Sequence, residues 1–275
     1  MQAKYISRIV IDSLWQGHKH IDWALRPGVN VLSGKNGAGK STILNRIVSH
    51  LAEVLPLEGA LAKSTAPGGV TLEFMPAEAD TIRYDIVRSF DRQLIRLDNI
   101  LNSTEVKIRT ELDWQLYQLQ RRYLDYQVNV GNRMIQLLTS GDPTAQQQAT
   151  AAAGQKRLFQ DMVDELFRDT AKTIDRSCNE LRFLQYGEPL LPYLLSSGEK
   201  QLLIILLTAL TEDAQPCVLF MDEPEASLHF EWQKVLLSMV TRLNPNAQII
   251  LTTHSPAVIM DGWADCVTEV EEIER

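Results

Sequence analysis

The sequence predicts an α/β fold on a mixed sheet, interrupted by a helical hairpin or short coiled coil. Three observations carry this. Short apolar strands alternate with helical patterns at both ends of the chain. The segment "CVLFMD", residues 217–222, is apolar on both faces, as a strand inside a parallel sheet requires. Between them the pattern turns helical, and Leu112, Leu116, Leu119, Tyr123, Tyr126 and Val130 are spaced 4, 3, 4, 3, 4. The expected division is a first lobe over 1–93, a helical insertion over 94–181 and a second lobe over 182–275.

The elements follow in order. "YISRIVIDSL" and "HKHIDWALR" read as strands joined by a polar turn at Gln16–Gly17, and "VNVLSG" as a third strand after the turn signal Pro27-Gly28. Ile43, Leu44, Ile47, Val48, Leu51 and Leu55 share one helical face, and Pro56 ends that helix. "GGVTLEFMP" and "DTIRYDIV" read as an antiparallel hairpin through Ala77–Ala79. In the insertion, the polar stretch 139–155 separates the first helix from a second amphipathic segment carrying Leu158, Met162, Leu166, Ile174, Cys178 and Leu181. At about 1.5 Å per residue the first helix would be roughly 50 Å long. The pair is expected to project as an arm that can be removed without unfolding the rest; the alternative is a pair folded back into the core. Beyond it, "ELRFLQY" reads as a strand, Gly198–Thr211 as a buried helix, Phe230–Leu243 as a helix and "AQIILTTH" as a strand. The tail "EVEEIER" reads as a solvated edge strand.

Composition narrows the function. Among 275 residues the formal net charge is −8, so a generally basic nucleic-acid surface is not evident. Residues 83–133 carry nine Lys/Arg against seven Asp/Glu, no more than a solvated helix face gives. Cys178, Cys217 and Cys266 form no CxxC pair and read as reduced cytoplasmic thiols. The apolar run Leu202–Leu210 is about half a membrane span, and the first twenty residues lack a leader's apolar core, so neither a membrane nor a secretory route is expected.

The chemistry concentrates in short motifs. Gly34-Lys35-Asn36-Gly37-Ala38-Gly39-Lys40-Ser41 matches GxxxxGK[ST] between a predicted strand and a predicted helix. Glycines there let main-chain N–H groups turn inward around phosphate oxygens, and the helix start adds its positive end, next to Thr42. Lys40 is suited to the β- and γ-phosphates and Ser41 to Mg²⁺. Val218–Glu223 runs from four apolar residues into two acids at a strand end, where open α/β sheets place their chemistry. Asp222 is a candidate Mg²⁺ ligand and Glu223 the candidate for polarising water. In "LLSSGEKQ", residues 194–201, Ser196 and Gly198 open a helix and are candidates for a γ-phosphate; a plain helix cap is the alternative. "EPEASLH" (223–229) and "TTHSP" (252–256) follow strand ends, and His254 is placed to sense the γ-phosphate.

These motifs, in this order, resemble an ABC-type ATPase head: Walker A at 34–41, signature at 195–201, Walker B at 218–223, D-loop at 225–229 and switch His254. The detail is similar to the non-transporter branch of SMC, RecF and OLD-like ATPases, where a helical arm separates Walker A from the signature. "DEPEASLH" is closer to that branch than to transporter subunits, and Ser197 stands where transporters carry a glycine. The resemblance implies ATP and Mg²⁺ as cofactors, Gln93 as the Q-loop glutamine, and a head-to-tail homodimer with ATP sandwiched between two copies. It also implies a switch for a separate effector, a nuclease or toxin reached through the arm, as in stand-alone ATPases of bacterial anti-phage modules. The alternatives are a DNA-repair or chromosome-associated ATPase that touches DNA and, against the long arm, a transporter subunit. The tail is too short for the Toprim nuclease domain of OLD-like proteins, so no nuclease chemistry is expected within these residues.

Overall fold

The computed structural model of this chain describes residues 1–15, 17–54, 61–62, 69–89 and 108–275. The chain forms two compact units, Met1–Ser89 with Ala214–Arg275, and Phe90–Asp213. Residues 182–213, expected with the second lobe, therefore group with the helical insertion.

The first unit begins with β1 (Tyr5–Leu14), β2 (Lys19–Ala24), β3 (Val29–Ser33), α1 (Lys40–Val54), β4 (Leu61–Ala62), β5 (Val70–Met75) and β6 (Ile82–Val87). After the insertion it resumes with β10 (Cys217–Asp222), α5 (Phe230–Leu243), β11 (Ala247–Thr252), α6 (Pro256–Met260), β12 (Val267–Glu269) and α7 (Val270–Ile273). One sheet is antiparallel, in the order β2-β1-β5, and the other runs β12-β3-β11-β10-β6-β4. In the larger sheet β12, β3, β11, β10 and β6 are parallel, and β4 joins β6 antiparallel. Ile6, Ile9, Trp23, Ile43, Ile47, Phe220 and Ile250 pack together from both sheets and α1. Gln248 is fully buried on β11, and both ends of its amide are hydrogen-bonded to main chain. Its Oε1 accepts from Ile6 N–H at 2.8 Å, and its Nε2 donates to Ile6 O at 2.8 Å and Arg26 O at 2.7 Å.

Two expectations for this unit are corrected. Residues 70–87 are not a hairpin, because β5 pairs with β1 and β6 pairs with β10. β5 alternates buried and exposed residues and fits a sheet with one covered face, whereas β6 enters the parallel sheet. The tail is not simply a solvated edge strand. β12 lies at the sheet edge, but α7 buries Val270 and Ile273 against the core.

The second unit holds α2 (Glu111–Thr139), α3 (Ala145–Leu166), β7 (Lys172–Ile174), β8 (Phe183–Gln185), β9 (Glu188–Leu190) and α4 (Ser197–Thr211). α2 opens with a capping box: Asp113 N–H donates to Thr110 Oγ1, and Asp113 carboxylate accepts from Thr110 N–H. All six seam residues, Leu112 to Val130, are buried. α2 packs on both α3 and α4, so the seam is shared with the helix that begins at the signature motif rather than closed within a free arm. α4 is buried at every position from Gly198 to Thr211, which corrects the expectation of a removable arm: its helices cover α4.

The second arm helix also differs. The polar break shrinks to 140–144, because the Ala- and Gln-rich stretch from Ala145 is strongly helix-forming. α3 then stops at Leu166, followed by a 3₁₀ turn that closes on left-handed Ala171 at φ +53°. Ile174 lies in β7, and Cys178 and Leu181 lie beyond it. Gln93 and the start of the insertion lie outside the described residues.

Ion pairs tie α4 to its unit. Lys200 Nζ donates to Asp113 Oδ1 at 2.7 Å with both side chains nearly buried, and Arg122 pairs with buried Glu212. Removing one member of a buried pair strands the other charge. Lys200→Met should therefore destabilise this unit by about 3 kcal/mol. Adding Asp113→Asn, which removes the stranded charge and keeps an acceptor for Thr110 N–H, should return part of that loss, as urea unfolding would record.

Candidate functional site

Parallel pairing aligns three strand ends in the first unit. Asp222 on β10 is opposite Thr252 on β11, and Thr252 is opposite Leu32 on β3. The chain leaves these ends as the glycine loop, the acidic turn and the His254 loop. Asn36, Gly37, Gly39, Lys40, Ser41, Thr42, Glu223 and His254 line one cleft of about 590 Å³, together with Trp15.

The loop geometry suits an anion. Gly37 and Gly39 have φ of +82° and +99°, which side chains rarely tolerate. A Cβ on Gly39 would lie 2.3 Å from Trp15 Cη2, so the indole covers a position only glycine can hold. Lys40 is nearly buried, and its ammonium donates to Gly34 O at 2.8 Å and Lys35 O at 3.1 Å. Ala38 N–H donates to Lys35 O at 3.1 Å and shapes the turn without lining the cleft.

The acidic side is equally ordered. Ser41 Oγ donates to Asp222 Oδ1 at 2.9 Å, and Thr252 Oγ1 donates to the same oxygen at 2.5 Å. Glu223 has φ +47°, and its N–H donates to Thr252 O and Thr252 Oγ1, each at 3.1 Å. His254 Nε2 lies 3.0 Å from Glu223 Oε1. The donor set fits ATP with Mg²⁺. A nearly buried lysine and open main-chain N–H groups suit phosphate. A hydroxyl beside a carboxylate suits a cation that keeps its waters and shares phosphate oxygens. No cluster of three or more His, Cys, Asp or Glu that could hold a metal unaided occurs among the described residues.

The other predicted residues are elsewhere. Ser196 and Gly198 start α4 in the second unit. Ser196 forms a capping box with Glu199, whose other oxygen accepts from Lys172 Nζ at 2.7 Å and Thr170 Oγ1 at 3.0 Å. Burial disfavours ionised Glu199, but these donors outweigh it and hold the carboxyl below its ordinary value. The cap reading of this motif is thus realised in the structure. His229 is exposed at the N-cap of α5 and makes no side-chain capping bond.

The sequence reading names the segments 223–229 and 252–256 but gives no role to Glu225 or Thr252, and it passes over Trp15. Trp15 had one usable signal, a large aromatic next to the predicted turn at Gln16–Gly17. It has φ +49° and lies 40% exposed, and Lys19 Nζ lies 5.3 Å from its ring centroid.

The model of the family described as "AAA domain, putative AbiEii toxin, Type IV TA system" matches residues 76–261. That range contains the signature motif, Asp222, Glu223 and His254, and begins after the glycine loop. No curated protein matches the chain. Among solved structures, the chain is similar to an Smc head bound to the C-winged helix domain of ScpA. The identity is 15% and the TM-score 0.54, over 94% of this chain and 92% of that one. It also aligns with the SMC head domain from Thermotoga maritima at 15% identity and TM-score 0.46, over 96% and 94% of the two chains. An Smc head domain with an extended coiled coil from Pyrococcus furiosus gives 12% and 0.49, over 94% and 91%.

Proposed function

The chain belongs to the AAA-domain family whose model spans residues 76–261, and from that premise we propose that it binds ATP with Mg²⁺ in the cleft and hydrolyses the terminal phosphate. The observation that carries this is the convergence of Ser41, Glu223 and His254 on one cleft beside Lys40, with Asp222 bonded to Ser41 behind it. Lys40 exchanges its loop carbonyls for phosphate oxygens, and main-chain N–H groups of the loop bind alongside it. Ser41 and Asp222 would hold Mg²⁺, which when bound would neutralise phosphate charge. Glu223 accepts the proton of the attacking water, and His254 orients Glu223 and contacts the γ-phosphate.

The wider reading follows the family pattern of residues 194–201. Ser196 and Gly198 of one copy complete the site of a second copy, so that ATP holds a head-to-tail dimer and hydrolysis releases it. This switch governs a separate effector, a nuclease or toxin docked on the helical unit, in anti-phage defence. The family description, which names a toxin and a TA system, supports an effector of that kind. An Smc head of similar fold bound to a domain of ScpA supports docking of a partner protein.

Phosphate release and light scattering test the reading together. Mg²⁺-dependent release is expected, with a doubling of mass when a slowly hydrolysed ATP analogue binds. A chain that binds ATP but neither releases phosphate nor changes mass would end the switch reading.

A further inference from the structure

The reading above gives no part to Glu225, a buried acid in the same unit as the cleft. Glu225 follows Glu223 by two residues in a loop, yet it is only 6% exposed. Two successive turns fold the chain back: Ala226 N–H donates to Glu223 O at 3.1 Å, and Leu228 N–H to Glu225 O at 2.9 Å. The Glu225 carboxylate then reaches the loop after β11. Its Oε1 accepts from the Thr253 hydroxyl and from His254 main-chain N–H, the latter at 3.1 Å. Its Oε2 has no hydrogen-bond partner among the described residues. A buried carboxylate is costly to keep unless its bonds secure something.

A second clasp comes from α5. Gln233 Nε2 donates to Leu228 O at 2.9 Å, and Gln233 Oε1 accepts from Ser255 Oγ at 2.6 Å. Ser255 Oγ in turn accepts from Ala257 N–H at 3.2 Å and caps α6. His254 is thus held between two bonds that both originate in residues 225–233.

We infer that Glu225 is a positioning residue: it fixes the main chain of His254 and thereby aims the imidazole at Glu223. The His254 side chain hangs from a Cα whose N–H is tied to Glu225 Oε1. Its Nε2 must arrive 3.0 Å from Glu223 Oε1. Freed from that anchor, the loop gains backbone freedom and the contact lengthens beyond hydrogen-bond range. The kinetic consequence rests on the hydrolytic role proposed for Glu223 and His254; the geometric one does not.

The test joins kinetics with amide exchange. Glu225→Ala should lower kcat by about tenfold to a hundredfold, the scale of a displacement of about 1 Å at a reacting centre, while the Kd for ATP changes far less, since Lys40 and the glycine loop keep their phosphate contacts. Glu225→Gln keeps an acceptor at Oε1 and should recover most of kcat. Glu225→Asp keeps the charge but falls one methylene short, and should behave like Ala. If the Ala variant fails to fold, this Gln–Asp contrast carries the test. Added to His254→Ala, Glu225→Ala should cost nothing further, because both act through one imidazole. The His254 amide should exchange faster in the Ala and Asp variants than in the Gln variant. Equal loss of kcat with and without His254, matched losses in kcat and ATP affinity, or unchanged protection of the His254 amide would each overturn the inference. A wild-type chain without turnover would instead sink the hydrolytic reading, and amide exchange would still decide whether Glu225 holds His254.

Discussion

Glu223→Gln should lower ATP turnover by about 10²-fold or more, the scale of a lost general base, while ATP remains bound. The substitution keeps size and shape. A glutamine Oε1 still accepts from His254 Nε2, and the main-chain bonds to Thr252 are untouched. What disappears is an oxygen able to take a proton. The unusual backbone of Glu223, at φ +47°, is held by those Thr252 bonds and does not depend on the charge. Single-turnover phosphate release and an equilibrium ATP titration separate the two effects. Wild-type hydrolysis by this variant would show that Glu223 is not the base.

Lys40→Ala should weaken ATP binding itself, by about tenfold to a hundredfold, the scale of one hydrogen bond to a charged partner. Lys40 is buried between the loop and the cleft, and its three donors are satisfied in part by Gly34 O and Lys35 O. Removing it costs the phosphate contact and also strands those carbonyls, so the loop loses shape. The loss should therefore appear in Kd, in contrast to Glu223→Gln, where it appears in kcat. Unchanged affinity by calorimetry would mean that Lys40 does not touch phosphate.

Much of the site was legible because its residues announce themselves locally. A glycine loop between a strand and a helix, and two acids at the end of an apolar strand, need no distant information. Phe230–Leu243 forms a helix over that span because its apolar face is strongly periodic. What stayed hidden depends on long-range partners. The alternation of 70–75 suits a hairpin as well as pairing with β1, and only the available neighbours decide. The seam of α2 reads as a coiled coil, yet α2 also packs on α4, some ninety residues along the chain from the start of the seam. Glu225 falls in the named segment 225–229, but its contact with the His254 loop depends on the turn that buries it. Ser196 shows the opposite limit: one short pattern serves a helix cap in the structure and a phosphate contact in the proposal, and the residues alone do not rank them.

The central claim is a catalytic site built from two copies of this chain, and mixing two inactive variants tests it most directly. Lys40→Ala spoils the glycine loop and leaves the signature intact. Gly198→Asp leaves the loop intact and puts a carboxylate where the signature would meet a γ-phosphate, so like charges repel at short range. Gly198 is buried at the start of α4, so circular dichroism first checks that the variant folds, and it should still bind ATP through its own Lys40. Each protein alone should show almost no turnover. In a mixture, the loop of the Gly198→Asp chain can meet the signature of the Lys40→Ala chain, and phosphate release should partly recover, rising and then falling as the mixing ratio passes through equality. A mixture no more active than its components, or full turnover by Gly198→Asp alone, would contradict a site shared between copies.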